Sequence, residues 1–219
     1  GLGDVYKRQA LNPKQFSISL SGEPTIYPYL PNLIKELRKR KIISFLVTNG
    51  LNPEMIKRLE KENALPTQLT ISVNAPNKEL WEFWHNSLER KGWEIFNKSL
   101  EIIGTLKGKT RRCVRLTLVR KGKKKNITNM KTEHAKQYAK LIKKAEPDFI
   151  HVKGFMSIGH ATKRLDYSHT PYHEEVLKFA EELLNHLPRE YKILDQEERS
   201  HVVLIGKSRE KMKIKETEI

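Results

Sequence analysis

A single cysteine, Cys113, in 219 residues excludes an intramolecular disulfide framework and any metal cluster held by this chain's own thiolates alone. No apolar run approaches the roughly 18 residues of a membrane-spanning helix. A charged-then-apolar leader with a small-residue cleavage site is also lacking, so the expected location is the cytoplasm, with no membrane partner. No Gly-rich phosphate loop follows a strand-like stretch, which argues against phosphate-binding barrel metabolism, and no internal repeat or low-complexity tract occurs.

Negative charge is also short. Lysine and arginine number 42 against 26 acidic residues, a net charge of +16, with the excess in "KGKKKN" (Lys121 to Asn126), "KTRR" (Lys109 to Arg112) and "ELRKRK" (Glu36 to Lys41). A polyanionic partner is expected, nucleic acid ahead of acidic lipid because no amphipathic lipid-binding segment stands out. Gly1 to Gln9, "GLGDVYKRQ", has neither periodicity nor a join to "ALNPKQ". Its back-translation resembles a sequencing-library adaptor, so the domain is expected to span residues 10–219. Setting the segment aside lowers the net charge by one and leaves the basic character intact.

Apolar alternation predicts strands at Phe16 to Leu20, Ile42 to Gly50, Thr67 to Ala75, Arg112 to Val119 and Asp148 to Phe155. Between them the 3.6-residue period predicts helices beyond Pro31, from about Pro53 to Asn63, through Trp93 to Ile103, and from about Lys131 to Ala145. A last helix from about His173 to Leu187 precedes "YKILD" and "SHVVLIG", read as a terminal strand pair. Repeated strand-helix units imply a parallel α/β sheet whose ligands sit at the strand C-terminal ends. The connection Lys121 to Asn129 is the expected mobile loop.

The strand ends carry Gly22, Glu23 and Pro24, then Thr48 and Asn49, Ser72 and Asn74, Arg115 and Thr117, and Lys153. On one rim they offer a carboxylate for an ammonium, a guanidinium for a carboxylate, and hydroxyls and amides for a sugar. Such a set suits a zwitterionic amino acid carrying a ribose.

These segments, "ALNPKQFSISLSGEPTIYPYL", "LVTNG", "LPTQLTISVNAP", "RCVRLTLVRKG", "HVKGFMSIGHATKRL" and "SHVVLI", resemble in order and spacing the radical S-adenosylmethionine (SAM) enzymes. Within them the resemblance is to the archaeal form of the tRNA wybutosine-synthesising family, the 4-demethylwyosine synthases. It implies a partial (β/α)6 barrel, here lacking its first strand and cluster loop. Gly22, Glu23 and Pro24 then match the family's site for the SAM ammonium, and Thr48, Asn49, Ser72, Asn74, Arg115 and Thr117 become candidates for its ribose and carboxylate. The implied reaction joins a two-carbon unit of pyruvate to N1-methylguanosine-37 of tRNA-Phe, drawing on an electron donor and a [4Fe-4S] cluster held by CxxxCxxC. That motif is absent from this sequence. The resemblance therefore implies an N-terminally truncated enzyme, inactive as it stands, whose catalytic residues lie upstream of Ala10.

Lys121, Lys123, Lys124, Lys125, Lys153, Lys163 and Arg164 are the candidates for tRNA phosphate or substrate. His160, His169 and His173 fit no zinc spacing and are expected as surface or capping residues. Core packing is expected for at least two of Trp81, Trp84 and Trp93, with stacking on a flipped base as the alternative. Cys113 is expected as a small buried core residue. Two further readings stay open: a radical SAM enzyme with another substrate, and a non-catalytic basic RNA-binding module.

Overall fold

The structure, a computed structural model, describes residues 11–19, 22–123 and 125–219. The expectations for the adaptor-like Gly1 to Gln9 and for Lys124 fall outside these residues. Seven strands form one sheet: β1 (Gln15–Ile18), β2 (Ile43–Thr48), β3 (Gln68–Ser72), β4 (Arg111–Leu118), β5 (Phe149–Gly154), β6 (Lys192–Glu197) and β7 (Val202–Gly206). The order is β1-β2-β3-β4-β5-β7-β6. The first five strands are parallel, and β7 pairs antiparallel with both β5 and β6. The terminal pair therefore extends the main sheet, with the last strand inserted beside β5.

The crossovers are α1 (Leu30–Lys39), α2 (Pro53–Lys61), α3 (Lys78–His85), α4 (Gly92–Thr105), α5 (Thr132–Ala145) and α6 (His173–Leu184). Local chemistry sets their ends. Asn52 accepts the Met55 amide at 3.2 Å and Pro53 opens α2, while Arg58 and Lys61 close it on the negative end of the helix dipole. Ile34 and Leu37 of α1, Ile56 and Leu59 of α2, Phe96, Leu100 and Ile103 of α4, and Val176 and Leu183 of α6 form one apolar cluster. They pack there with Leu46, Leu69, Ile71, Val114, Leu116, Ile150 and Val152 of the sheet.

Those strand positions have a single parity, so alternation sends their neighbours to the other side of the sheet. A parallel sheet is normally covered on both faces; here the second face carries polar residues, and the site lies there. No described helix is long and apolar enough to cross a membrane.

The "WEFW" stretch lies in a helix of its own, α3, because Asn77 caps it by accepting the Leu80 amide at 3.0 Å and Trp81 enters the core beside Trp93 and Phe96. Two sequence expectations need correction. The last helix ends at Leu184, where Asn185 takes over as its cap. His169 is fully buried rather than a surface residue, because the β4–α5 connection packs on it, with Lys125 bonded to its ring and Arg120 to its carbonyl.

Candidate functional site

Register fixes three bands across the polar face. The lowest runs through Val47, Thr70, Cys113 and Phe149 and is closed by a second apolar cluster of Cys113, Phe149 and Leu194 with Leu204 and Met212. Arg111 holds the C-terminal segment across this end, donating to Glu218 Oε1 and the Met212 carbonyl, both at 3.2 Å. Burial pushes the Cys113 thiol up to about 12, so this cysteine stays protonated and serves as packing, as its isolation in sequence predicts.

The middle band is Ser72, Arg115 and His151 in one row across β3, β4 and β5. Arg115 Nη2 donates to Ser72 Oγ at 2.9 Å, while its Nε is buried with no partner among the described residues. Burial holds the His151 imidazole below its ordinary value of 6.5, and the charges of Arg115 and Lys153 push it the same way. The upper band is Thr117 and Lys153, register partners, with Asn74 just beyond the end of β3. Asn74 Oδ1 is buried and unpartnered among the described residues, and its backbone carbonyl is fixed by Asn129 Nδ2 at 2.9 Å and the Tyr138 hydroxyl at 3.0 Å.

At the β1–β2 corner Glu23 acts first as a structural clamp. Its Oε1 accepts from the Thr25 hydroxyl and the Thr48 hydroxyl, both at 2.6 Å, and from the Thr25 amide at 3.2 Å; Oε2 accepts the Asn49 amide at 2.7 Å. Oε1 is saturated, and Oε2 retains acceptor capacity for one further donor. Thr48 is buried, on the helix side of β2, and its hydroxyl also accepts the Gly50 amide at 3.0 Å. It positions Glu23 and does not face the polar cleft. Asn49 is half-buried at the same corner, with its Oδ1 taken by the Leu51 amide at 2.9 Å. Gly22, at φ 78°, makes the turn that delivers Glu23, and Pro24 opens the short helix after it.

Among the remaining candidates, Lys121, Lys123 and Lys125 lie on the β4–α5 connection, and Lys163 and Arg164 are exposed on the β5–α6 connection. The first connection, expected to be mobile, is docked on the second. The Lys123 amide donates to Ser168 Oγ at 2.7 Å, the Arg120 amide to the His169 carbonyl at 3.1 Å, and His169 Nε2 meets Lys125 O at 3.1 Å. A Cβ on Gly122 would stand 2.5 Å from the His169 ring, so only glycine lets the loop lie this close. His160 is exposed and His173 bonds Gln196 at 3.0 Å.

Sequence reasoning missed His151, although "HVKG" places it two residues before Lys153, on the same face. Asn129 and Tyr138 were missed as well, since no local pattern marks them.

The donor set can be tested against two groups. A [4Fe-4S] cluster needs three thiolates; this chain has one cysteine, buried and protonated, and the described residues contain no group of three or more possible metal ligands. The residues present do not fit a cluster. A zwitterion with a ribose does fit: Arg115 Nε and the Ser72 hydroxyl of the middle band stand next to Asn74 Oδ1 and the Thr117 hydroxyl of the upper band, and neither Arg115 Nε nor Asn74 Oδ1 has a partner among the described residues.

His151 carries a measurable consequence. The unfolded chain's imidazole takes up a proton below about 6.5 while the buried native ring resists, so stability is full above that pH and falls as the pH drops through it. His85 and His134, also lowered chiefly by burial, act in the same direction. Urea unfolding at pH 7.5 and 5.5 is expected to show this loss, and His151→Gln to shrink it; equal losses in both proteins would remove His151 as a source.

The chain matches the family described as "Radical SAM superfamily" over residues 4–130 and that described as "Wyosine base formation" over residues 144–207. It is 43% identical over 197 residues to the S-adenosyl-L-methionine-dependent tRNA 4-demethylwyosine synthase of Pyrococcus abyssi, covering 90% of this chain and 54% of that one. The crystal structure of archaeal TYW1 superposes with TM-score 0.71 at 32% identity, covering 94% of this chain and 61% of that chain. The structure of TYW1 with a lysine-pyruvate adduct bound gives 0.73 at 32% identity, covering 91% and 59%. The chain thus spans between half and two thirds of the length of these relatives. The parallel sheet with its polar C-terminal rim agrees with these matches: the chain belongs to the radical SAM superfamily and, within it, is similar to the archaeal-type tRNA 4-demethylwyosine synthases.

Proposed function

We propose that this chain is the SAM-binding and substrate-facing portion of an enzyme that joins a two-carbon unit of pyruvate to N1-methylguanosine-37 of tRNA-Phe, forming 4-demethylwyosine. The observation that carries the reading is the pair of polar atoms Arg115 Nε and Asn74 Oδ1, buried with no partner among the described residues, in adjacent bands on the polar face of the sheet. Leaving such atoms unpaired costs about 1–3 kcal/mol each, a cost relieved by a ligand that supplies an acceptor to one and a donor to the other. Arg115 takes the SAM carboxylate, Ser72, Asn74 and Thr117 the ribose, and Glu23 Oε2 the ammonium. Bound there, SAM would supply the radical source for the family's chemistry, with the reducing electron coming from outside this chain's residues. This chain's residues orient the cofactor and screen it with the apolar cluster below. The relative seen with a lysine-pyruvate adduct supports pyruvate as co-substrate, and the net charge of +16 supports a tRNA partner.

The test joins this chain to the parts of the Pyrococcus abyssi relative that it does not align with. After anaerobic reconstitution, SAM affinity and product formation on methylated tRNA-Phe with pyruvate are measured. Arg115→Met is expected to weaken SAM roughly tenfold or more, equivalent to at least about 1.4 kcal/mol, with an unchanged circular dichroism spectrum. Unaltered SAM affinity would remove Arg115 from the site. Retained tRNA binding with no SAM binding in the joined protein would replace the enzyme reading by that of a basic RNA-binding module.

A further inference from the structure

The tryptophans of the "WEFW" stretch turn inward, Trp81 buried and Trp84 half-buried, and Trp93 of α4 is half-buried against the same core. Phe83 turns outward, 54% exposed, with Trp84 edge-on to its ring at a centroid distance of 5.5 Å. Lys125 Nζ lies 5.8 Å from the Phe83 ring centre. From Lys125 the docked loop leads through His169 and Ser168 to Arg120, whose Nε donates to the Ser168 carbonyl at 2.9 Å. The Arg120 guanidinium lies 4.6 Å over the ring of Tyr172, itself 57% exposed. Glu175 accepts from Arg120 Nη1 at 3.2 Å and so fixes it in place. Three elements that are distant in sequence thus present one strip, Phe83, Lys125, Lys123, Arg120, Tyr172, beyond the C-terminal ends of β4 and β5. These are the ends that carry Thr117 and Lys153.

We propose that this strip binds an unpaired RNA loop, with bases stacked on Phe83 and Tyr172 and phosphates on Lys121, Lys123 and Lys125. Cations alone would suit any polyanion. Exposed rings set among cations suit splayed bases, whose faces are free only outside a duplex. A cation over one face of each ring leaves more than half of each residue open to solvent. The strip's place at the mouth of the polar cleft allows a loop held there to direct one base inward. This rests on the tRNA-modifying reading and names the part of the RNA that the protein grips.

The test is fluorescence anisotropy of this chain with an RNA hairpin carrying an unpaired loop and with a blunt RNA duplex of the same phosphate count, at two salt concentrations. The wild-type protein is expected to prefer the hairpin. Phe83→Ala and Tyr172→Ala each weaken hairpin binding by roughly tenfold and leave the duplex affinity and salt slope unchanged. Phe83→Trp keeps or tightens hairpin binding, since a larger ring stacks as well. Replacing Lys121, Lys123 and Lys125 with alanine weakens both RNAs and flattens the salt dependence by about one unit of slope per lost phosphate contact. Equal hairpin affinity in the wild-type, Phe83→Ala and Tyr172→Ala proteins would overturn the proposal, as would equal wild-type affinity for hairpin and duplex. SAM titration of the joined protein, with and without the same substitutions, separates the two readings: hairpin recognition through the strip without SAM binding overturns the enzyme reading alone, and SAM binding without hairpin preference overturns the strip alone.

Discussion

Replacing Arg112 with alanine is expected to lower the unfolding free energy by about 3–5 kcal/mol, the range for breaking a buried ion pair from one side. Arg112 is 1% exposed, near the start of β4. Its Nη2 and Nε reach Asp148 Oδ1 and Oδ2, both at 3.3 Å, and its Nη1 reaches the carbonyls of Gly104 at 3.3 Å and Ala145 at 3.4 Å. The backbone repeats the tie, with the Arg112 amide on Asp148 Oδ2 at 2.9 Å and the Asp148 amide on the Arg112 carbonyl at 2.8 Å. One guanidinium thus pins the C-terminal turns of α4 and α5 to the entry of β5. Its removal leaves a carboxylate facing those carbonyls and opens a cavity the size of a long side chain. Arg112→Met with Asp148→Asn is expected to cost less than the sum of the two single changes, because the second removes the charge that the first strands. Urea denaturation of the four proteins supplies this cycle. Strict additivity would show the pair to be uncoupled, and a loss below about 1 kcal/mol in Arg112→Ala would show that solvent already screens Asp148.

The strands were legible because their apolar residues alternate or run together over five to eight positions, and the same alternation foretold that Arg115 and Thr117 share a face. His151 followed the same rule and was passed over because histidine in a strand carries no distinguishing signal until the sheet sets it beside Arg115. Glu23 was legible as a placed acid, but not as a clamp: its partners Thr48 and Asn49 stand 25 and 26 residues away, and only the β1–β2 pairing brings them close. His169 was misread for a related reason. Its burial comes from Arg120, Gly122 and Lys125, some 45 positions earlier, and the one sequence clue is Gly122, which a sequence presents as an ordinary turn glycine. Core packing, expected for at least two of the three tryptophans, holds for Trp81, with Trp84 and Trp93 partly buried against the same cluster, while Phe83 needed the helix phase to show that it points outward.

The second large effect is expected at Asn129, which is fully buried and was invisible in the sequence. Its Oδ1 accepts the Val119 amide at 2.7 Å, and its Nδ2 lies 2.8–2.9 Å from the carbonyls of Thr117 and Asn74 and the hydroxyl of Tyr138. The ends of β3 and β4 are locked together by this one amide, and with them the backbone that carries Asn74 and Thr117. Asn129→Ala leaves the Val119 amide and the Thr117 carbonyl without partners, while the Asn74 carbonyl keeps the Tyr138 hydroxyl at 3.0 Å. At about 1–3 kcal/mol for each stranded group, the expected loss is about 2–5 kcal/mol in urea unfolding. Asn129→Asp separates lost volume from lost donors. It keeps the acceptor for Val119 but turns a carboxylate oxygen toward two carbonyls, so it is expected to cost at least as much as alanine. An aspartate variant markedly more stable than the alanine variant would show that the acceptor to Val119 alone matters. SAM affinity reads the second consequence: with the Thr117 carbonyl released and the Asn74 carbonyl held by the Tyr138 hydroxyl alone, Asn74 is held less firmly relative to Arg115. The alanine variant is then expected to bind SAM several-fold more weakly at temperatures where it remains folded. Unchanged affinity in a destabilised but folded protein would mean that the lock serves the fold and not the site.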